Sequence, residues 1–300
     1  MDFATAITIL IDGLVFSSYL FLVSVGLTII FGVMKILNVA HGSFYAWGAY
    51  TSAYLIGIWS NSGLPDAGTF LMIAVAALLV GVVLGLFLER CLIQFMYGRD
   101  EVIIVLATFA TFLILEDLIL VVFGVDPYFA YQPMMVLGST QIGGIMRDVY
   151  SLTLIGLAAV VGLILWVGLT KTKWGRLLTA VIHDREISVA MGIDVTKVFI
   201  LTFVLGAVLG ALGGAYVAPT VSVAPGFGID VIVLSFAVVV IGGMGSIPGA
   251  IIGALIVGIA RAIAVHKLPE VELFVVYGVM VAVLVFRPEG LFAPAKARKI

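Results

Sequence analysis

The sequence is poor in charge and nearly free of cysteine. Of its 300 residues, 15 are Lys or Arg and 17 are Asp or Glu, together 11%, against 63% hydrophobic residues. Soluble domains carry about 25% charged residues, so this chain cannot surround a core with a solvated surface. Its mean hydropathy of +1.28 places it in a bilayer. The single cysteine, Cys91, excludes an intramolecular disulfide and any multi-cysteine metal site. His41, His183 and His266 stand apart, without ligand spacing, so neither a metal centre nor an intramembrane enzyme is expected. No G-x-x-x-x-G-K-[ST] occurs, which excludes a P-loop nucleotide site and leaves no cofactor in this chain. The net charge of −2 gives no basis for a nucleic-acid partner.

What is present is a series of apolar runs close to the ~20 residues that a membrane helix needs. They fall at Ile7–Phe31, Val39–Trp59, Thr69–Glu89, Val102–Phe123, Tyr150–Thr170 and Val195–Ala218. Three closely spaced ones follow at Ile229–Ile241, Ile247–Val265 and Leu273–Phe286. The expected fold is an all-α polytopic membrane protein with about eight to nine transmembrane segments, some broken or re-entrant. It forms one domain over residues 1–300. The first run has no basic flank and carries Asp2 and Asp12, so it reads as a permanent span, not a cleaved signal. The seventh run is short enough to be a half-helix.

Positive charge stays on the cytoplasmic side. An external N-terminus puts Lys35, Arg90, Arg99, Lys171, Lys173, Arg176, Arg185, Lys197, Arg287, Lys296, Arg298 and Lys299 inside, and leaves Arg147, Arg261 and Lys267 outside or in the outer half. The longest inner loop, residues 171–194, has an apolar stripe of Leu177, Leu178, Val181, Ile182, Val189 and Met191. Asp184 is placed to cap a short helix and Gly192 to end it. Such an element either rests on lipid headgroups or docks a cytoplasmic partner.

Two stretches combine apolarity with helix breakers. "NVAHGS" sets Asn38, His41 and Ser43 where a span begins or breaks, and "GGMGSIPGA" repeats a Gly-Ser pair, Gly245 and Ser246, at the head of another helix. Broken helices leave backbone groups free beside a cavity, a recurrent way to hold a polar solute in a membrane. The two breaks are expected to meet near a translocation path. Against this, Gly245, Gly249 and Gly253 are spaced as close helix packing requires, and His41 could equally be satisfied by a neighbouring helix. Glu116 and Asp117 lie within the fourth span, where a carboxylate costs ~2.5–3.5 kcal/mol and needs a partner. Arg261 lies at matching depth in the eighth, and an ion pair between it and one of the two acids is the expectation.

Three longer stretches together resemble the permease subunits of branched-chain amino-acid ABC importers. They are "GLTIIFGVMKILNVAHGSFYAWGAY", "KWGRLLTAVIHDREISVAMGIDVTKV" with its following "FVLGAVLGALGGAYV", and "IGGMGSIPGAIIGALIVGI" leading to "RPEGLF". Their order and spacing cover nearly the whole chain, which looks more like the shorter of the two permease types. The resemblance implies a second permease, identical or different, two cytoplasmic ATPase subunits that bind ATP and Mg, and a periplasmic solute-binding protein. It also implies a bacterial inner-membrane location, with the N-terminus periplasmic and the C-terminus cytoplasmic. Arg185, Glu186 and Gly192 then fall in the coupling helix that seats on an ATPase. The expected solute is a branched-chain or other hydrophobic amino acid; urea, amides and aromatic acids are alternatives within the same architecture. An ion-coupled secondary transporter working through Glu116 and Asp117 is the competing class.

Overall fold

The computed structural model describes residues 3–292. The basic C-terminal residues Lys296, Arg298 and Lys299, and Asp2, lie outside the described residues.

The nine apolar segments are all helical. They are α1 (Phe3–Met34), α2 (His41–Asn61), α3 (Thr69–Leu88), α4 (Glu101–Phe123), α6 (Val149–Lys171), α9 (Val195–Val217), α10 (Phe227–Gly242), α11 (Ile247–Lys267) and α12 (Glu272–Phe286). Among the described residues, six segments are long and apolar enough to cross a membrane, and α10 is one of two shorter apolar helices. Between α4 and α6 lie a short helix, α5 (Gln132–Leu137), and a hairpin of β1 (Ser139–Ile142) and β2 (Ile145–Asp148). Gly143 and Gly144, both at positive φ, form its two-residue turn. Loop 171–194 folds into α7 (Lys173–His183) and α8 (Arg185–Ala190).

Polar caps fix most helix starts. Asp100, Asp148, Thr172, Asp184, Asp194 and Ser246 each accept a backbone N–H from the first turn of the helix that follows, satisfying donors that would otherwise be orphaned. The Lys197 amide and ammonium hold the Asp194 carboxyl below its ordinary range. Asp184 caps α8, and Gly192 at φ +82° ends its last turn, as the sequence predicts.

The inner bundle is built from α1, α2, α9, α10 and α11. In α1 and α9, 72% and 67% of the most apolar window is buried; in α4 and α6 the figures are 28% and 22%, so these two helices form the outer layer. Small residues let the inner helices meet backbone to backbone. A Cβ on Gly206 of α9 would lie 2.8 Å from the Gly26 carbonyl oxygen of α1, and one on Gly48 of α2 would lie 2.8 Å from the Ala211 Cα of α9. Where α11 runs beside α1, Gly258 faces Ser17, and Ile259 faces Gly13. This is the packing mode of membrane interiors, where no hydrophobic driving force distinguishes helix from lipid and close van der Waals contact takes over.

Candidate functional site

Two helices, α2 and α10, begin among other helices without a side-chain cap of their own. The chain leaves α1 through Lys35, at φ +56°, and turns back into the bundle so that His41 opens α2 against the middle of α1. His41 is fully buried and donates from Nε2 to the Val23 carbonyl oxygen at 3.0 Å. Its ring fills the space left by Gly26 and Gly210 and meets Phe44 edge-on. Asn38 and Ser43 are also fully buried, and neither amide atom of Asn38 nor the Ser43 hydroxyl has a hydrogen-bond partner. Buried polar atoms without partners are rare, and these lie together at the α1–α2 break.

Helix α4 lies against the starts of both α2 and α10. Thr108 Oγ1 accepts from the Val39 N–H at 3.2 Å, just before α2. Two turns further along, Glu116 reaches the start of α10, beside the Gly226 amide and against Gly228. A carboxylate there meets the positive end of the helix dipole, and its Oε1 is buried with no hydrogen-bond partner among the described residues. Gly42 and Gly228 pack on each other in the same place, so the beginnings of α2 and α10 touch. Asp117, the next residue, is exposed on the outer side of α4.

Arg261 does not pair with Glu116 or Asp117. Its Nη2 donates to Glu272 Oε1 at 3.1 Å, and its guanidinium lies 4.0 Å over the Phe16 ring. Depth along two helices does not fix their azimuth. Arg261 faces α1 and the start of α12, whereas Glu116 faces α2 and α10.

Arg261 lines a cavity of about 450 Å³ between α1, α6 and α10. Asp12 and Arg147 also line it and form an ion pair at 2.6 Å; His266 Nε2 lies 3.3 Å from the other Asp12 oxygen. Tyr19 and Tyr45 form its floor, with Phe227 5.0 Å from Tyr45. Asp230, in the first turn of α10, opens onto the same space.

The second break lies elsewhere. Gly243 ends α10 at φ +104°, Gly245 sits at φ +84° against Gly32 near the end of α1, and Ser246 accepts from the Gly249 N–H at 3.1 Å. It therefore adjoins the last turn of α1, while the start of α2 meets the start of α10 instead. Both breaks thus adjoin α1.

In the loop of α7 and α8, Arg185 lies 5.4 Å over the Phe199 ring at the foot of α9. Tyr97 packs on the other part of that ring at 5.1 Å and donates to Glu89, which is fully buried in a π-helical turn at the end of α3. Burial, then this hydrogen bond, push the Tyr97 phenol up from its ordinary range. Glu186 is exposed in the first turn of α8.

The family described as branched-chain amino acid transport system, permease component, matches residues 9–284. The chain belongs to this family. Its relatives include the high-affinity branched-chain amino acid transport system permease protein BraD of Pseudomonas aeruginosa, 26% identical over 97% of both chains. LivH of Escherichia coli K12 is 26% identical over 96% of both. The probable branched-chain amino acid transport permease protein LivH of Methanocaldococcus jannaschii is 28% identical over 95% of this chain and 90% of its own length. This is a transport subunit of an ABC importer family and not an enzyme in itself.

In the permease, the sequence pointed to Arg261 and the breaks but missed Asp12, Arg147, Asp230 and Glu272. The missed signal is the scarcity of charge itself: each of these ions stands in or beside an apolar segment and therefore requires a partner or water.

Proposed function

We propose that the chain is the permease subunit of an ATP-driven importer for branched-chain or other hydrophobic amino acids. It sits in the bacterial inner membrane with its N-terminus periplasmic and its C-terminus cytoplasmic. The observation that carries this reading is the family match over residues 9–284. Two cytoplasmic ATPase subunits bind ATP and Mg, a second permease completes the pathway, and a periplasmic binding protein delivers the solute. Residues 171–194 form the coupling loop within a single domain of residues 1–300. The exposed Glu186 and the amphipathic α7 and α8 suit a docking element, and the Arg185–Phe199 contact ties it to α9. The α1–α2 break with Asn38, His41 and Ser43, the second break with Gly245 and Ser246, and the residues Glu116, Asp117 and Arg261 belong to the pathway or its frame.

Reconstitution of this chain with its ATPases, second permease and binding protein should give leucine uptake that requires ATP and every partner. Uptake by this chain alone, driven by a proton or sodium gradient and indifferent to the ATPases, would overturn the reading.

A further inference from the structure

We infer that the cavity between α1, α6 and α10 is a transit site for a zwitterion, in which Asp230 takes the solute's ammonium group and Arg261 its carboxylate. This rests on the transport reading above and adds to it a place and two recognition groups.

Charge accounting within the cavity leads to Asp230. Three acids, Asp12, Asp148 and Asp230, and two bases, Arg147 and Arg261, line it. Asp12 is matched by Arg147 at 2.6 Å, and Asp148 is committed to capping α6 through the Ser151 N–H at 2.9 Å. Asp230 forms no ion pair or side-chain hydrogen bond among the described residues, and it is exposed. It stands in the first turn of an apolar helix, twelve residues or ~18 Å of helix before the end of α10 at Gly242. An unpaired carboxylate in such a segment requires water or a cation.

Arg261 supplies the complement. Of its five N–H donors, Nη2 is engaged by Glu272, while Nε is buried with no acceptor. Phe16 holds the guanidinium plane in place. Tyr19 lines the same cavity, within electrostatic reach of both Arg261 and Asp230. The remaining wall is apolar, from Leu154, Phe227 and Leu234, and suits a branched aliphatic side chain. The volume of about 450 Å³ lies within the ~300–1,000 Å³ usual for small-molecule sites.

The test uses the complete transporter with Cys91→Ser and, in separate variants, Ser151→Cys or Thr220→Cys as reporters on two walls of the cavity. Labelling of this chain by a cationic, membrane-impermeant methanethiosulfonate is followed with leucine, 4-methylpentanoate or isopentylamine present, beside ATP-dependent leucine uptake. Leucine should slow labelling of both reporters, and each one-charge analogue should be needed at about tenfold or higher concentration, as the loss of a charged hydrogen bond requires. Asp230→Asn should abolish protection by leucine, and Asp230→Glu should keep it. Leucine uptake without protection of either reporter overturns the inference and leaves the transport reading standing. Protection by isopentylamine equal to that by leucine removes Arg261 from the site and overturns the zwitterion claim. Absence of both uptake and protection overturns both readings, and protection without uptake upholds the site while overturning the ATP-driven one.

Discussion

Asp12 and Arg147 are 135 residues apart in the chain and 2.6 Å apart in space. The pair ties the first helix to the β-hairpin that precedes α6, and His266 at the end of α11 leans on the same carboxylate. One contact thus gathers three segments at one end of the bundle.

Breaking that pair should loosen the end of the bundle. The side chains are 31% and 23% exposed, between the surface case, worth up to ~1 kcal/mol, and the buried one, worth ~3–5 kcal/mol. Asp12→Asn or Arg147→Gln should therefore cost ~1–3 kcal/mol, read as a lower Tm of the detergent-solubilised protein. The exchange Asp12→Arg with Arg147→Asp should recover most of the loss. Singles that melt like the parent would show that the contact adds nothing to stability.

Glycine at the helix crossings should be far less replaceable than glycine on the outer layer. A Cβ on Gly206 would meet Ile30 at 2.6 Å and the Gly26 carbonyl at 2.8 Å, whereas one on Gly156 meets nothing within 4 Å. Gly206→Ala should destabilise by ~1–3 kcal/mol through overpacking. Gly156→Ala should be neutral or stabilising by up to ~1 kcal/mol, because alanine is the better helix former. Equal melting temperatures for the two variants would contradict the packing account.

His41 should act as a packed residue and not as a proton carrier. It donates to Val23, and its ring occupies a hollow made by Gly26 and Gly210. His41→Ala should cost ~2–4 kcal/mol by opening a cavity, and His41→Gln should retain much of the function. A pH dependence of uptake that disappears in His41→Gln would assign it a titrating role instead.

Glu116 and Asp117, adjacent in sequence, should behave differently. Glu116 reaches the positive end of α10, beside the Gly226 amide, so Glu116→Ala should destabilise by ~0.5–2 kcal/mol through loss of the carboxylate at the helix N-terminus. Glu116→Gln should recover part of this because its amide oxygen keeps a partial negative charge there. Asp117→Asn should leave the isolated subunit's stability unchanged, since the side chain is exposed. If Asp117→Asn instead weakens co-purification with the second permease, its face is covered in the assembly.

Segments and their ends were legible in the sequence where the signal is local. All nine apolar runs are helices, Asp184 and Gly192 delimit α8, and Ser246 caps α11. These depend on hydropathy and on residues within one turn. Which helix faces which was not legible, because an apolar helix in an apolar chain carries little amphipathic signal to mark its inner face. The chain's approach to the α2 start, and Thr108 and Glu116 reaching across from α4 to the starts of α2 and α10, follow from packing between segments far apart in sequence. The same gap explains why equal depth suggested Glu116 or Asp117 for Arg261.

That error makes a sharp test. Arg261 donates to Glu272 across the α11–α12 turn, and Asp117 points away from the bundle. Arg261→Glu alone places two acids together at that turn and should destabilise by at least ~1 kcal/mol. Adding Glu272→Arg should restore the Tm, whereas adding Asp117→Arg should not. Uptake should stay low even in the restored double variant, because its guanidinium then projects from the turn and no longer lies over Phe16 in the lining of the cavity. Stability and transport would thus separate in one protein, as they must if Arg261 both closes the α11–α12 turn and faces the solute.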